Sequence, residues 1–278
     1  MVEVGGHGTR LRGRVAPAVG ARVWCNSRVR GYDPSSYGDG IADVYDEWYD
    51  ELEVDAPVEA LTALADARSG AGAVLELGIG TGRLALPLAA RGLRVSGVDA
   101  SAAMVAQLKA KPGGEQLEVV VGDMAGPEPV GPFSLAFAAV NTFFSLTTAD
   151  AQQACFHAVA ARLVPGGRMV VEAFVPDPDR AGDGVHVRTL TADRVVLAIT
   201  TTDVDAQRAF GQLVELIDGR PVRLRPWAVR WSTPEQLDTM AAIAQLRLEH
   251  RWSGWNGEPF GPDSARHVSV WRRIADVG

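Results

Sequence analysis

The sequence of 278 residues predicts an α/β protein with a mostly parallel central sheet and a separate antiparallel β insert. Between about residues 57 and 174, short apolar runs alternate with segments of helical pattern, as in strands connected by helices. The runs are apolar at nearly every position, which is typical of parallel strands covered on both faces. From about residue 176 the runs follow one another across short turns, and this pattern predicts an antiparallel sheet.

The α/β unit contains five predicted strands and four predicted helices up to residue 174. The strands are residues 73–77, 93–98, 117–121, 133–139 and 168–174. The helices are residues 57–69, 83–90, 101–109 and 149–163. Pro165-Gly166-Gly167 ends the last of these helices, because proline and glycine interrupt regular structure. Strands separated by helices favour a parallel sheet.

The remaining chain predicts the insert and the closing strands. Strands are expected at 185–190, 194–201, 208–217 and 221–229, with Asp218-Gly219 as the clearest hairpin turn. Thr233-Pro234-Glu235 opens a helix that continues to about residue 244, with proline in the first turn where it costs little. Two strands, 246–252 and 268–272, raise the central sheet to seven strands. The predicted divisions are 1–31, a basic arm; 32–70, a helical cap; 71–175, the α/β core; 176–232, the insert; and 233–278, the last helix and strands.

Charge, hydropathy and cysteine content narrow the class of protein. The net charge is −7, but residues 1–31 contain six arginines and one acid, so the rest of the chain is strongly acidic. An acidic body argues against nucleic acid as a partner, because phosphate binding needs a basic face. No apolar run reaches the roughly 18 residues of a membrane span, and no secretory signal is recognised. Cys25 and Cys155 are too few for a disulfide framework or a zinc site. We therefore expect a cytoplasmic protein without a metal.

The strongest functional motif is a glycine-rich turn between the first predicted strand and the next helix. It reads Val74-Leu75-Glu76-Leu77-Gly78-Ile79-Gly80-Thr81-Gly82-Arg83. Glycines allow a tight turn and the close approach of a ligand to the backbone. Asp99 ends the following strand, where a carboxylate can accept two hydrogen bonds from a ribose diol. Together these features predict a ligand that contains a nucleoside.

Two ligands fit this arrangement, a dinucleotide and S-adenosylmethionine. The dinucleotide fingerprint is G-x-G-x-x-G, whereas this chain has G-x-G-x-G preceded by Glu76. S-adenosylmethionine has no phosphate, so the turn need only admit its amino-acid end. After the third strand, Gly122-Asp123-Met124 offers an acid and a thioether that can hold an adenine ring. Asn141-Thr142-Phe143-Phe144 follows the fourth strand, at the mouth where the reacting group would lie.

At these motifs the chain resembles the class I S-adenosylmethionine-dependent methyltransferases, which have a Rossmann-like seven-stranded sheet. The similar segments are ELGIGTG, GVDAS, GDM, the fourth strand ending in NTFF, and LVPGGRMVV. The chain is most similar to the small-molecule group with an antiparallel insert after strand five, such as the aminosugar N-methyltransferases. The resemblance implies that the glycines and Glu76 line the methionine moiety, Asp99 the ribose, and Asp123 with Met124 the adenine.

All four tyrosines lie within one short segment, at Tyr32, Tyr37, Tyr45 and Tyr49. A helix at about 39–50 would place Ile41, Tyr45, Trp48 and Tyr49 on one face. That face either docks on the core or forms a lid on which Tyr37 or Tyr49 binds the cofactor carboxylate, as the resemblance implies. The predicted cofactor site comprises Tyr37, Tyr49, Glu76, Gly78, Gly80, Gly82, Asp99, Ala100, Met104, Asp123, Met124 and Asn141.

The candidate catalytic groups are His250, His267 and Asn141. The two histidines flank the loop 253–257, which contains Trp255 and joins the last two strands. A histidine there could act as a general base, and Trp255 could form part of an apolar acceptor pocket. Asn141 is a neutral group that could align an amine or a hydroxyl. The resemblance supplies no catalytic base common to the whole family.

These observations predict methyl transfer from S-adenosylmethionine to N, O or C of a small molecule, such as a secondary metabolite. One alternative is a nicotinamide-dependent oxidoreductase, which the glycine spacing disfavours. A DNA amino-methyltransferase would need an Asn/Asp-Pro-Pro-Tyr/Phe segment, where this chain has Asn141-Thr142-Phe143-Phe144. A cofactor-binding scaffold without turnover is a third alternative. The expected partners are a small-molecule acceptor and a second copy bound through the β insert, but neither a nucleic acid nor a membrane.

Overall fold

A computed structural model describes residues 29–65, 72–177 and 181–274 of the chain. Most of the predicted basic arm, with Cys25, and the end of the first predicted helix lie outside the described residues. The helices are α1 (Ser36–Ile41), α2 (Tyr45–Trp48), α3 (Asp55–Leu64), α4 (Ala85–Ala90), α5 (Ala102–Lys109), α6 (Ala149–Arg162) and α7 (Pro234–Ile243). The strands are β1 (Ala73–Leu77), β2 (Arg94–Asp99), β3 (Glu118–Val121), β4 (Phe133–Ala138), β5 (Leu163–Phe174), β6 (Gly184–Leu190), β7 (Arg194–Asp203), β8 (Arg208–Ile217), β9 (Arg223–Arg230), β10 (Leu246–Trp252) and β11 (Arg266–Arg273).

The central sheet has seven strands in the order β10-β11-β5-β4-β1-β2-β3. Strand β11 runs antiparallel to both of its neighbours, and the other neighbouring pairs are parallel. Every residue of β1 and β4 is buried, as expected for strands covered on both faces. The predicted fold class is confirmed, and the last strand is the antiparallel one.

Helices cover both faces of this sheet and leave its carboxyl edge accessible. Helices α3, α4 and α5 pack on one face through side chains such as Leu61, Leu88 and Leu108. Helices α6 and α7 pack on the other face through side chains such as Phe156 and Leu237. Each helix thereby removes an apolar stripe from water, the main stabilising contribution to such a fold. In the described part of the chain, no helix is long and apolar enough to cross a membrane.

The insert after β5 is a four-stranded antiparallel sheet in the order β6-β7-β8-β9. Alternate residues of β8, including Ala209, Leu213 and Glu215, are buried on the face toward the rest of the chain. The opposite face carries apolar residues that are exposed, such as Val187 and Leu224. This arrangement confirms the predicted antiparallel insert.

Two predicted elements differ from the structure in ways that have a physical cause. The helix predicted at 39–50 is divided into α1 and α2, because Asp43 leaves the helix and binds the guanidinium groups of Arg223 and Arg225 from the insert. Strand β5 begins at Leu163 rather than residue 168, so the proline-glycine segment lies within the strand. The pairing with β4 shifts its register there, and Gly166 has φ +78°, which accommodates the irregularity.

Candidate active site

The glycine turn lies at the carboxyl edge of the sheet, between β1 and α4. Gly80 has φ +55°, and the nearest heavy atom to a β-carbon built there is the carbonyl oxygen of Gly78, at 4.0 Å. The space in front of Gly80 is therefore open to a ligand. Gly82 has φ +82°, but a β-carbon there would lie 2.3 Å from Leu108 Cδ1 in the core. Gly80 thus leaves room for a ligand, whereas Gly82 permits packing between the turn and α5.

Asp99 joins the turn to the end of β2. Its Oδ2 accepts a hydrogen bond of 2.8 Å from the Gly80 amide, and its Oδ1 accepts one of 2.8 Å from the Ser101 amide. Burial raises the pKa of Asp99 above its ordinary value. Each carboxylate oxygen has a second lone pair, so the group can still accept hydrogen bonds from a diol.

Glu76 is a buried carboxylate next to the glycine turn. Its side chain is 5% exposed, and its Oε2 has no hydrogen-bond partner among the described residues. Burial raises the pKa of Glu76 to about 8, against the opposing effect of the nearby charge of Arg83. A buried carboxylate oxygen without a hydrogen bond is costly, and a cationic ligand group would compensate it.

A cavity of about 1000 Å³, open to solvent, lies in front of the turn and is named here the glycine-turn cavity. Its walls include eight of the predicted cofactor residues: Tyr37, Gly78, Gly80, Asp99, Ala100, Met104, Asp123 and Met124. Four others, Tyr49, Glu76, Gly82 and Asn141, do not line it. Further wall residues that were not among the predicted cofactor contacts are Tyr32, Pro34, Gly38, Tyr45, Thr142, Ser145, Leu146 and Thr147.

A second cavity, of about 990 Å³, lies between the core and the β insert and is named the insert cavity. It shares Tyr37, Tyr45, Thr142 and Ser145 with the glycine-turn cavity, so the two spaces adjoin. The remaining walls come from β6 to β9, from the residues after β4 and from the residue after α2: Arg188, Ala198, Leu213, Trp227, Ala228, Val229, Val140, Asn141 and Tyr49.

Three tyrosines stand at the boundary between the cavities. The Tyr37 and Tyr49 hydroxyl groups lie 3.0 Å apart, and the Tyr45 and Tyr49 rings have centroids 4.7 Å apart. Burial raises the pKa of Tyr45 to about 12, and burial followed by contact with Tyr49 raises the pKa of Tyr37 well above its usual value. Ile41 of the same segment is fully buried. The segment therefore docks on the core and also presents neutral phenols to both cavities.

The tyrosine segment, residues 36–50, is held on two sides by charged groups. Toward the core, Asp46 accepts a hydrogen bond of 2.6 Å from Thr81 Oγ1 and pairs at 2.6 Å with Lys111 Nζ. Toward the insert, Asp43 accepts a hydrogen bond of 2.5 Å from Arg225 Nη1. The Arg225 side chain is only 2% exposed. These contacts fix the segment across the junction of the two cavities.

Asn141 lines the insert cavity in an unusual backbone conformation. Val140 and Asn141 have φ values of +48° and +64°, and the first is strained because it is a β-branched residue. The Asn141 Oδ1 accepts a hydrogen bond of 2.8 Å from the Phe174 amide, and the Val140 amide donates to Glu172 Oε2 at 2.9 Å. Strand β5 thus holds the Asn141 side chain at the cavity wall.

The structure does not bring the two predicted histidines to either cavity. His267 is fully buried, its Nδ1 lies 2.9 Å from Ser269 Oγ, and burial lowers its pKa to about 4. His250 is exposed and stacks on Trp252. Trp255 lines neither the glycine-turn cavity nor the insert cavity, contrary to the prediction, because its side chain is buried in the core cluster that includes α3 and β11. Within the described residues, no group of histidine, cysteine and acidic side chains is arranged to hold a metal.

Comparisons with known proteins agree with this geometry. Residues 74–167 match the family described as "Methyltransferase domain". The structure is similar to that of the CcbJ methyltransferase from Streptomyces caelestis, with 38% identity and a TM-score of 0.79. That alignment covers 88% of this chain and 100% of the other. The chain belongs to the S-adenosylmethionine-dependent methyltransferases.

The methyltransferase is also similar to two further bacterial proteins. It is 29% identical to the cypemycin N-terminal methyltransferase of a Streptomyces species, over 87% of this chain and 99% of that protein. Its fold is similar to that of CalS10, an amino pentose methyltransferase from Micromonospora echinaspora solved with S-adenosylmethionine, at a TM-score of 0.63. The identity in that case is 22%, and the alignment covers 84% of this chain and 97% of the other.

The residues of this methyltransferase fit S-adenosylmethionine as its cofactor. The open space at Gly80 admits a ligand against the backbone, and Asp99 keeps lone pairs for a ribose. The unpartnered Oε2 of Glu76 suits the ammonium group of the amino-acid moiety, although Glu76 does not itself form a cavity wall. A nicotinamide cofactor, the alternative left open by the sequence, does not belong to this family.

Proposed function

We propose that this methyltransferase methylates an amine of a small secondary metabolite, with the cofactor in the glycine-turn cavity and the acceptor in the insert cavity. The observation that carries the proposal is the junction of the two cavities at Tyr37, Tyr45, Thr142 and Ser145. A methyl group transferred in line must pass through such a junction. Similarity to an enzyme named as an N-terminal methyltransferase supports nitrogen over oxygen or carbon.

In this proposal, each end of the cofactor is held by a group described above. Asp99 accepts hydrogen bonds from the ribose, and Glu76 in its ionised form faces the ammonium group. Asp123 and Met124 line the same cavity and hold the adenine. Gly78, Gly80 and Gly82 shape the turn around the methionine moiety. Tyr37 and Met104 close the cavity from the sides.

The chain's contribution to the reaction is positioning and the exclusion of water. When bound, S-adenosylmethionine supplies a methyl group that its positively charged sulfur already activates. The acceptor nitrogen must present a free lone pair, so the groups around it need only accept its N–H bonds. The hydroxyls of Tyr37 and Tyr49 and the amide of Asn141 can do so. Among the described wall residues of the insert cavity no histidine or carboxylate is present, so proximity is the main source of rate enhancement.

Product analysis tests this function directly. The protein is incubated with methyl-labelled S-adenosylmethionine and a panel of amines matched with hydroxyl analogues, and products are identified by mass spectrometry and NMR. We expect label on nitrogen and formation of S-adenosylhomocysteine. Label on oxygen or carbon alone would replace the proposed acceptor atom. Tight cofactor binding without turnover across the panel would favour the scaffold alternative instead.

A second copy of the chain is proposed to bind the outer face of the insert. Val187, Leu197, Val214 and Leu224 follow one another in register across the four strands of that face. Val187 and Leu224 are each 61% exposed, and an apolar row of this kind favours association. Light scattering should give twice the chain mass, and Val187→Asp with Leu224→Asp should give monomers. A monomeric parent protein would contradict the proposal.

The acidic body supports the further proposal that nucleic acid is not the acceptor. The net charge is −7 for the whole chain. The cytoplasmic location remains a prediction from the sequence. Fractionation of the producing cells, with the protein detected in each fraction, would test it.

A further inference from the structure

Three guanidinium groups contact one indole ring where the insert meets the tyrosine segment. The Cζ atoms of Arg188, Arg225 and Arg194 lie 5.0, 5.1 and 5.5 Å from the centroid of Trp48. An indole face attracts cations, but three positive charges around one ring also repel one another. Their other partners therefore determine what each arginine can do.

Two of the three arginines are neutralised by carboxylates. Arg225 pairs with Asp43 and, at 2.6 Å, with Glu215, which is itself buried. Arg194 pairs with Glu215 at 2.6 Å and with Glu47. Both guanidinium groups are thus committed to ion pairs within the chain.

Arg188 differs from its two neighbours because its partners in the structure are neutral. Its Nη1 donates to the Tyr49 hydroxyl at 3.4 Å, its Nη2 donates to the Trp48 carbonyl at 3.3 Å, and it also stacks on the Tyr49 ring. These hydrogen bonds are long and therefore weak. Arg188 forms no ion pair with a carboxylate of the described chain. Its side chain is exposed and lines the insert cavity, where it is the one charged group on the described wall.

The backbone places Arg188 at this wall through an irregularity of β6. Val187 lies opposite Leu197 and Thr189 lies opposite Val196, so Arg188 is an extra residue in the strand. A bulge of this kind breaks the alternation of side chains and redirects the residue that it contains. The bulge and the two aromatic rings together hold a guanidinium at the cavity in advance of binding.

We infer, on the basis of the proposed function, that the acceptor carries an anionic group, a carboxylate or a phosphate, which binds Arg188 at the insert cavity. The planar guanidinium matches either anion with two parallel hydrogen bonds, and its aromatic supports fix the plane. The apolar side chains of Leu213 and Trp227 then contact the body of the acceptor. Acceptors with the amine but no anion should bind weakly, and those with an added cation should be rejected.

The test uses small anions on the full-length protein saturated with S-adenosylhomocysteine. Acetate and inorganic phosphate are titrated while the arginine and indole N–H resonances are followed by NMR, with acetamide as the neutral match for acetate. We expect saturable binding of at least one anion at Arg188 and none of acetamide. Tighter binding of acetate points to a carboxylate acceptor, and tighter binding of phosphate points to a phosphorylated one.

Three substitutions separate anion binding from support of the tyrosine segment. Arg188→Gln should weaken anion binding by about tenfold or more, as expected for loss of a charged hydrogen-bonding partner, whereas Arg188→Lys should retain part of it. Arg223→Gln is the matched control, because Arg223 is a neighbouring exposed arginine that lines neither cavity. The control should bind the anion as the parent protein does.

Three outcomes would overturn the inference: no saturable anion binding, equal binding by Arg188→Gln, or equal losses in Arg188→Gln and Arg223→Gln. Calorimetry with S-adenosylhomocysteine is performed first on each variant. Loss of cofactor affinity in Arg188→Gln with unchanged anion binding would show that Arg188 only positions Tyr49. Failure of the parent protein to bind S-adenosylhomocysteine would contradict the proposed function, while the anion titration without cofactor would still report on Arg188.

Discussion

The two cavities share a wall but are built from different parts of the chain. On its core side, the glycine-turn cavity is shaped by the backbone of the turn at Gly78 and Gly80 and by acids at the ends of neighbouring strands. The insert cavity is shaped by side chains from the four strands of the insert, and the tyrosine segment lines both cavities. The glycine-turn cavity needs particular residues at particular positions. The insert cavity needs only side chains that pack together, so its chemistry varies with each substitution.

The largest effect on stability is expected at the ion pairs that hold the insert to the tyrosine segment. Glu215→Gln leaves the buried Arg225 and the half-buried Arg194 without a shared acid, and we expect a loss of about 3 kcal/mol of unfolding free energy. Chemical denaturation measures this loss. Arg223→Gln breaks an exposed pair with Asp43 and should cost less than about 1 kcal/mol. Equal losses would show that the insert pairs are not distinguished by burial.

The pH dependence of the unfolding free energy provides a second test of the contribution of Glu215. Burial alone would raise its pKa, but hydrogen bonds from Arg225 and Arg194 hold the pKa below its ordinary value. A carboxylate whose pKa is lowered by folding stabilises the fold above its unfolded pKa and loses that contribution as the pH falls through the folded pKa. Unfolding free energies of the parent protein and Glu215→Gln should therefore converge in acid. A constant difference down to low pH would contradict this assignment.

The next largest effect is expected at the cofactor. Asp99→Ala removes the acceptor for the ribose and should reduce affinity for S-adenosylhomocysteine by roughly 1.5–3 kcal/mol, as for hydrogen bonds to a charged group. Calorimetry measures the change, with NADH as the control ligand. Tighter binding of NADH than of either adenosyl compound would contradict the assignment of the cavity. Anion binding at Arg188 should be unaffected, because the two cavities use separate groups.

Two glycine substitutions distinguish a ligand surface from a packing contact. Gly82→Ala drives a β-carbon to 2.3 Å from Leu108 Cδ1 and should destabilise the fold by about 2 kcal/mol through overpacking. Gly80→Ala meets no such contact, so it should cost about 1 kcal/mol for the left-handed conformation alone. The methyl group introduced by Gly80→Ala would nevertheless enter the cavity and weaken cofactor binding. Thermal denaturation measures the stability of each variant, and calorimetry measures its cofactor affinity. A larger loss of stability in Gly80→Ala than in Gly82→Ala would contradict the prediction.

The smallest effect is expected at Glu76, which must lose a proton before it can bind a cation. Because the pKa of Glu76 is about 8, the group is mostly protonated at neutral pH before a cation arrives. If the ionised form binds the cofactor, affinity should rise about tenfold from pH 6 to pH 7 and level off above pH 8. Calorimetry in two buffers of different ionisation enthalpy should detect proton release. Glu76→Gln should remove the pH dependence, and an unchanged profile in that variant would assign the proton to another group.

The sequence predicts the parts of this molecule in which local pattern and tertiary structure agree. Strands β1 and β4 are buried at every position and apolar at all but one each, Glu76 and Ser134, so their pattern alone identifies them. Gly80 and Asp99 belong to one turn and the next strand, and their spacing carries the prediction of a nucleoside site. The division between α1 and α2 could not be read in this way. It depends on Asp43 meeting Arg225, which lies far along the chain.

The sequence predicts the acceptor side less well, because the type of a residue does not give its position in the fold. His267 suits acid–base chemistry as a residue type, but its place in β11 puts it within the core. The sequence does not indicate Arg188 as a residue of the site, since a bulge in an edge strand has no clear sequence signature. One available signal was Glu215, a charged residue on the buried side of the β8 alternation. A charge in such a position indicates that the face meets other charged groups.

The ion pairs between the insert and the tyrosine segment also determine which part of the chain can be exchanged between enzymes of this fold. The insert leaves the core after Phe174 and returns at Trp231, so in sequence it is a single removable block. In space it is not, because Asp43 and Glu47 of residues 36–50 are partners of Arg225 and Arg194. A transplanted insert would arrive with its cations unmatched unless the tyrosine segment travelled with it. With the acceptor in the insert cavity, as proposed, acceptor choice would therefore depend on two separated stretches of chain that must change together.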